Sequence, residues 1–402
     1  MPAFLKYTIV VCFVAHNTMV PAQEPSHVAP RDPVIERADV VHDAGPGLTP
    51  FVVAAADGYL VAGWDTGGGD GMPGGTMQFA NSADLGRTWV KFDTAMKCDK
   101  PHTGLGVSLY RMPGNSGRIL CYTLEVVWPE DPDPAKPNYL QLAAGRQFDS
   151  YYSFSVDDGR RFSERKLLSD PVRRNDFAQG GIVALPNGDL LWPWGYWGAE
   201  PLHGFRRSAD SGLHWEPVVR AWQDPPLGHD KPIGFNETAA AVCNDGTIVA
   251  VARVDSIPDK KFWQIKSSDN GKTWTTPRPI EIAGGSPAMY CTSAGQLWLA
   301  FRDAGVGPGL GLAVSDDRGD TWRFLYHLKD PKGQFETRLG QVRFTDEDRK
   351  QPWRPSEGAA GYPCFVELTD SQVYVVFHLQ TWENVPKEGV PFFIAGNLLR
   401  IP

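Results

Sequence analysis

One short pattern recurs five times along the chain and constrains its fold more than any other feature. The pattern is Ser-x-Asp-x-Gly-x-x-Trp or Phe, and its copies begin at Ser82, Ser155, Ser208, Ser267 and Ser315. Ser and Asp side chains bond nearby backbone N–H groups, glycine accepts a positive φ, and an aromatic ring can pin a turn against a sheet. Five copies in one chain therefore predict a repeated β-hairpin turn.

Segments typical of β-hairpins surround these turns. In each segment an apolar run leads through an Asp-Gly, Asn-Gly or Asp-Ser turn into a second apolar run. Four examples are residues 51–64, 181–192, 239–253 and 365–377. The repeating unit is then an inner hairpin followed by an outer hairpin that carries the pattern, which is the four-stranded blade of a β-propeller.

The spacing of the copies predicts the number of blades. Consecutive Asp residues of the pattern lie 73, 53, 59 and 48 positions apart, and the widest gap contains a proline-rich loop at 129–137. Residues from Glu357 onwards supply a sixth blade without the pattern. We therefore predict an all-β fold, a six-bladed β-propeller that forms a single domain over residues 41–402.

The first 22 residues have the character of an export signal. Lys6 precedes the apolar run 7–15, and small residues at 20–22 suit cleavage before Gln23. A polar linker over residues 23–40 would follow, and the protein would be secreted or periplasmic. The alternative is that the apolar run is a buried first strand. No other apolar stretch in the sequence is long enough to span a bilayer.

Net charge and cysteine content indicate which partners, cofactors and disulfides to expect. The formal net charge is −8 and there is no Lys/Arg run, so nucleic acid is not an expected partner. The sequence contains no CxxC, HExxH or His cluster, and we expect no metal and no other cofactor. Cleavage of the signal would leave five cysteines, for which we expect isolated buried thiols; a Cys98–Cys121 bridge is the alternative.

The repeated patterns are Asp-boxes, also called BNR repeats, and with six blades they resemble the sialidase (neuraminidase) superfamily over residues 41–401. The resemblance implies a propeller whose site lies at one end of a central channel. Functional side chains would stand where the inner strands start. The Asp-boxes themselves are expected to be structural turns on the rim, away from the site.

The resemblance implies two catalytic residues at inner-strand starts. Glu237, in Phe-Asn-Glu-Thr-Ala, resembles the glutamate that activates the nucleophile, and Tyr362, in Gly-Tyr-Pro-Cys, resembles the tyrosine nucleophile. A sialic acid carries a carboxylate on its anomeric carbon, which would repel a carboxylate nucleophile; a phenol deprotonated by a glutamate avoids that repulsion. The plain alternatives are a solvated loop carboxylate and a packing tyrosine. Asn236 begins a glycosylation sequon, but its place on an inner strand argues against glycan attachment.

The resemblance also implies that arginines bind the substrate. Arg253 and Arg302 each end an apolar run, where the superfamily places carboxylate ligands, and guanidinium groups bind carboxylate bidentately. Surface ion pairs are the alternative. A third arginine of the superfamily is replaced here by Leu48. For the general acid/base we choose Asp70, in the loop after the first hairpin, with Asp65 as the second choice.

An aromatic cluster at 190–197 offers a wall for the pocket, because aromatic faces stack on sugar C–H surfaces. We assign Trp194 to this role and expect other rings of the cluster to pack between blades.

The sequence thus predicts a retaining exo-glycosidase of sialidase type that acts on a sialic acid or another acidic sugar. Two alternatives stay open. In the first, a polysaccharide lyase, Tyr362 would act as base and acid in β-elimination. In the second, a glycan-binding propeller without catalytic activity, the missing arginine at position 48 would reflect lost turnover.

Overall fold

The computed structural model describes residues 32–43, 47–55, 59–66, 76–92, 96–97, 103–112, 118–128, 147–169, 175–196, 202–254, 256–303, 309–331, 360–380 and 392–401. The predicted signal peptide, most of the predicted linker and Asp70 lie outside these residues. Within the described residues, no helix is long and apolar enough to cross a membrane.

The described residues form 25 β-strands. In chain order they are β1 (Val34–His42), β2 (Leu48–Ala54), β3 (Leu60–Asp65), β4 (Thr76–Ser82), β5 (Val90–Lys91), β6 (Met96–Lys97), β7 (Thr103–Arg111), β8 (Ile119–Val127), β9 (Gln147–Ser155), β10 (Lys166–Leu167), β11 (Asp176–Ala178), β12 (Val183–Ala184) and β13 (Leu190–Tyr196). These are followed by β14 (Leu202–Ser208), β15 (Val219–Arg220), β16 (Phe235–Val242), β17 (Ile248–Val254), β18 (Lys261–Ser267), β19 (Arg278–Cys291), β20 (Leu297–Asp303), β21 (Leu310–Ser315), β22 (Arg323–His327), β23 (Ala360–Thr369), β24 (Gln372–Gln380) and β25 (Phe392–Arg400).

The strands pair into antiparallel sheets that follow the chain. The orders are β2-β3-β4-β5, β10-β9-β8-β7, β11-β13-β14-β15, β16 to β22 in sequence, and β1-β25-β24-β23. The long strand β19 pairs with β18 through its first part and with β20 through its second part. The all-β fold with a propeller-like arrangement of sheets is as predicted, and the count of six blades stays a prediction.

The Asp-boxes form the turns that the sequence predicts. Each begins at the serine that ends the third strand of its meander: β4, β9, β14, β18 or β21. In every copy the serine Oγ accepts the glycine N–H; in the fourth, Gly271 N lies 2.9 Å from Ser267 Oγ, and Asp269 Oδ1 accepts the Thr273 N–H at 2.9 Å. Asn270 and Gly271 have φ of 60° and 75°, and the equivalent pairs in the other copies are also left-handed. Two successive left-handed residues define the tight hairpin turn.

The boxes also join neighbouring sheets. Gln264 of β18 donates to the Gly319 carbonyl of the last box at 2.8 Å, and Tyr152 of β9 donates to the Leu213 carbonyl of the third at 2.8 Å. The first box completes a ring, because Tyr374 of β24 donates to the Gly86 carbonyl at 3.2 Å. These contacts tie the third and the last box to the preceding meander and the first box to the last sheet.

The first and the last described strands pair in one sheet. Strand β1 pairs with β25 from Val34↔Arg400 to His42↔Ile394. The prediction of a linker over residues 23–40 is therefore wrong for residues 34–40, because their N–H and C=O groups complete the edge of the last sheet.

Candidate active site

A β-bulge interrupts the first strand of four meanders, near the strand start in three of them and at the middle of the long strand β19 in the fourth. The register shifts lie between Leu48 and Phe51, Asn236 and Thr238, Gly285 and Ala288, and Gly361 and Cys364. Each bulge holds one non-glycine residue with positive φ; these are Thr49 (43°), Glu237 (24°), Ser286 (47°) and Tyr362 (50°). Such a conformation costs about 1–3 kcal/mol and concentrates at functional sites, and bulges re-aim side chains.

The second strand of each of these meanders contributes a polar residue beside the bulge. The residues paired just before the four bulges are Asp65, Arg253, Arg302 and His378. A bulge beside a polar side chain of the second strand thus occurs four times, and that side chain is a carboxylate, a guanidinium or an imidazole. Both predicted arginines occupy this position, which explains why each ends an apolar run.

Six of these eight residues line a cavity of about 880 Å³ between the inner strands, whereas Arg302 and His378 stand behind its wall. Its wall includes Glu237, Arg253, Ser286 and Tyr362 from three meanders, and Asp65 from a fourth. Glu237 and Tyr362 therefore line the same cavity, as the sequence analysis requires. The predicted catalytic pair is not divided between opposite ends of the fold.

Glu237 is held by charge and by the backbone. Its Oε2 accepts a hydrogen bond from Arg253 Nη1 at 2.9 Å and from the Ser286 N–H at 2.7 Å. The pKa of Glu237 lies below its usual value: burial of the carboxyl raises it, while the charges of Arg253 and Arg302 and the Ser286 N–H lower it by more. Glu237 is therefore a carboxylate at neutral pH.

Arg302 connects the two halves of the predicted pair. Its Nη2 donates to Ser286 Oγ at 3.0 Å and its Nε donates to the Ala360 carbonyl at 2.9 Å. The guanidinium carbon lies 5.6 Å from the centre of the Tyr362 ring. A fixed cation beside this ring stabilises negative charge that develops on the phenol.

His378 is a neutral buried base behind Tyr362. The Thr49 N–H donates to its Nδ1 at 3.3 Å, and its ring centre lies 5.6 Å from that of Tyr362. Burial, and then the charge of Arg302, lower the pKa of His378 well below its usual value. Because Nδ1 accepts a hydrogen bond, the neutral ring carries its proton on Nε2.

Of the two candidates for the general acid/base, the structure describes only Asp65. Asp70 lies outside the described residues. Asp65 lines the cavity opposite Leu48 and is only 1% exposed.

Trp194 does not line the cavity, so its assignment as a sugar-binding residue is wrong. None of its surface is exposed; it packs with Trp192 and Tyr122 in a hydrophobic core, and its Nε1 donates to Asp176 Oδ2 at 3.1 Å. Alternation on β13 turns both indoles towards the packed face of the sheet.

Three residues of the site were missed by sequence reasoning: Thr49, Ser286 and His378. A signal for the first two was present, since proline follows Thr49, Ser286 and Tyr362 alike. Proline at a bulge loses no ladder hydrogen bond. His378 had no local signal, because only the register with Gly361 places it in the site. Among the described residues, no group of three His, Cys, Asp or Glu could hold a metal ion.

Comparison with known proteins agrees with this architecture. A family model described as a BNR repeat-like domain matches residues 58–375. No curated protein matches the sequence significantly. Solved structures do: a protein of unknown function from Dyadobacter fermentans is similar at 18% identity with a TM-score of 0.67, over 92% of this chain and 99% of that one.

Two enzymes are similar in fold at lower identity. The Hadza microbial sialidase Hz136 is 17% identical with a TM-score of 0.61, over 89% of this chain and 66% of that one. An α-L-arabinofuranosidase from Fusarium graminearum is 13% identical with a TM-score of 0.59, over 91% of this chain and 98% of that one.

Proposed function

Because the chain belongs to the BNR repeat-like domain family, we propose that it is a retaining exo-glycosidase of sialidase type. It would be exported, carry six blades and act on a glycan. The observation that carries the proposal is the common cavity of Tyr362 and Glu237, each in a strained bulge at the start of an inner strand. Glycosidase neighbours on the same fold support the reaction class.

In the proposed reaction Tyr362 Oη attacks the anomeric carbon and its proton passes to the Glu237 carboxylate, directly or through one water. The glycosidic oxygen leaves with a proton from an aspartic acid. In the second step that aspartate deprotonates a water, which attacks the anomeric carbon and releases Tyr362, whose Oη takes its proton back from Glu237. Arg302, beside the Tyr362 ring, stabilises the phenolate character that develops in both steps.

Asp70 and Asp65 are the two candidates for this acid. Asp65 gains support from its place on the cavity wall, and Asp70 from its place in the glycine-rich loop after the first hairpin. Asp65→Asn and Asp70→Asn, assayed on aryl glycosides of good and poor leaving groups, separate them. The true acid is the one whose loss slows the poor leaving group far more, because an acidic phenol departs without protonation.

The proposed substrate is an acidic or otherwise modified sugar bound near Arg253 and Arg302. The test is a panel of fluorogenic glycosides that includes N-acetylneuraminic acid, glucuronic acid and α-L-arabinofuranose. The proposal expects turnover of at least one, with the first-formed product keeping the anomeric configuration by NMR. Unsaturated, ultraviolet-absorbing products from a uronate polymer would establish the lyase instead. Binding by calorimetry without turnover would establish a glycan-binding propeller.

A further inference from the structure

Two cysteines that the proposed function does not use lie against each other between neighbouring hairpins. Cys243 follows the last residue of β16, and Cys291 is the last residue of β19. Both belong to one apolar cluster, in which Ala241 and Cys243 of the first hairpin pack against Met289 and Cys291 of the next. The Cys243 side chain is buried and that of Cys291 is partly exposed.

The two thiols influence each other. Hydrogen bonding between the side chains raises the pKa of Cys243 and lowers that of Cys291, and the Cys291 S–H donates to the Thr292 carbonyl at 3.6 Å. The hairpin turns are also joined, because Asn244 Nδ2 donates to the Ser293 carbonyl at 2.7 Å. The two segments that carry the cysteines are therefore joined by the hydrogen bond between their turns and by the apolar cluster between their strands.

We propose that Cys243 and Cys291 form a disulfide that links the β16–β17 and β19–β20 hairpins under oxidising conditions. A disulfide joins two sulfurs about 2.05 Å apart, and the packing of both cysteines in one cluster beneath two joined turns brings their side chains within reach of such a bond. Cys243 and Cys291 are free thiols in the structure, as the sequence predicts, and the proposal departs from that expectation only under oxidising conditions. The alternative bridge involved Cys98, which lies outside the described residues, and Cys121 is a buried free thiol.

The oxidant is a second disulfide, such as oxidised glutathione or a thiol–disulfide oxidoreductase. The Cys291 thiolate, formed by loss of its proton, attacks one sulfur of that disulfide and releases the other as a thiolate. Cys243 then loses its proton and attacks the Cys291 sulfur of the mixed disulfide, which releases the second thiolate. Two protein thiols are oxidised and one external disulfide is reduced. The Cys243 bond lowers the pKa of Cys291, which makes this partly exposed sulfur the first to react.

The bond would stabilise the fold without changing the site. It closes a loop of about 50 residues, and such closure restricts the unfolded chain. Glu237 stands near the start of β16 and Cys243 just beyond its end, about 20 Å away at the rise of a β-strand. Oxidation is therefore expected to raise the unfolding midpoint by several degrees and to leave turnover as it is.

The test equilibrates the full chain in a glutathione redox buffer, blocks free thiols with iodoacetamide and maps peptides without reduction. We expect most molecules to contain a Cys243–Cys291 cross-linked peptide, while Cys121 and Cys364 carry the alkyl label. Full alkylation of Cys243 and Cys291 after equilibration with excess oxidised glutathione would overturn the proposal. So would pairing of either with another cysteine in most molecules.

Two variants separate the bond from general effects of oxidation. Cys243→Ser is expected to lose the difference in unfolding midpoint between oxidised and reduced protein, and Cys121→Ser, a matched buried thiol, is expected to keep it. An equal redox shift in both variants would contradict the assignment. Peptide mapping of the unaltered chain decides the question even if Cys243→Ser folds poorly.

Discussion

The carboxylate of Glu237 lies 2.9 Å from Nη1 of Arg253, so one of the two predicted substrate arginines is already paired with the predicted base. The pair is partly shielded, with 17% of the Glu237 side chain and 30% of the Arg253 side chain exposed. An incoming carboxylate must therefore compete with Glu237 for this guanidinium. This relationship bears directly on which sugar the site can accept.

Ordinary sialosides are expected to be poor substrates. Leu48 replaces the third arginine of the superfamily, and loss of one charge-assisted contact removes about 1.5–3 kcal/mol, or one to two orders of magnitude in binding. Of the arginines that could compensate, Arg111 lines the cavity but its Nη1 lies 3.9 Å from Asp158 of a box, and 173–174 lie outside the described residues. Kinetics on a panel of sialosides check this expectation.

The variant Leu48→Arg restores an arginine at this position and tests whether it increases the affinity for a sialic acid. Leu48 pairs with Asp65 as Asn236 pairs with Arg253, so position 48 on β2 corresponds to position 236 on β16, just before the bulge. We expect the variant to bind N-acetylneuraminic acid about tenfold or more tightly than the unaltered chain by calorimetry. Efficient release of N-acetylneuraminic acid by the unaltered protein would show that two arginines suffice.

The Asp-box turns are expected to support the fold and not the reaction. Asp269 Oδ1 accepts the Ser267 hydroxyl and the Thr273 N–H, and Oδ2 accepts the Thr273 hydroxyl. Asp269→Ala should lower the unfolding midpoint by calorimetry while turnover per folded molecule persists. Asp269→Asn keeps one acceptor oxygen and should fall between the two. Selective loss of turnover at an unchanged midpoint would contradict a structural role.

His378 is expected to make the fold sensitive to mild acid. Its pKa is lowered in the folded state, so the unfolded chain binds the proton more readily and stability falls as pH drops below about 6.5, by up to about 1.4 kcal/mol per pH unit. The Thr49 N–H, the Arg302 guanidinium and the Tyr362 ring face the imidazole.

His378→Asn keeps an acceptor for the Thr49 N–H and removes the titration. Urea unfolding at pH 8 and at pH 5 should show a smaller loss for this variant than for the unaltered chain. His229→Asn, at an exposed histidine, is the control and should follow the unaltered chain. An equal loss in all three proteins would assign the acid sensitivity to other groups.

The repeated turns made the fold readable from sequence. Ser, Asp and Gly at fixed offsets specify a local turn, and the five copies mark five of the meanders without knowledge of distant contacts. The closure by β1 was missed because pairing of Val34 with Arg400 joins residues at opposite ends of the chain, and nothing local to residues 34–40 specifies it.

The site was only partly readable. Glu237 and Tyr362 precede apolar runs, which places them at strand starts, and Arg253 and Arg302 end such runs. Trp194 was misassigned because an indole that stacks on sugar and one that packs between sheets look alike in sequence. His378 depends on register across a bulge, and a one-residue shift of register would turn it to the other face.

The most direct test of the account compares turnover by the unaltered chain, Tyr362→Phe and Tyr59→Phe on the best glycoside of the panel. Tyr59 is a partly exposed tyrosine outside the site, and its variant is the control for loss of one hydroxyl. We expect Tyr362→Phe to lower kcat at least about 100-fold with an unchanged unfolding midpoint, while Tyr59→Phe keeps full turnover. Undiminished turnover by Tyr362→Phe would contradict the assignment of Tyr362 as the nucleophile.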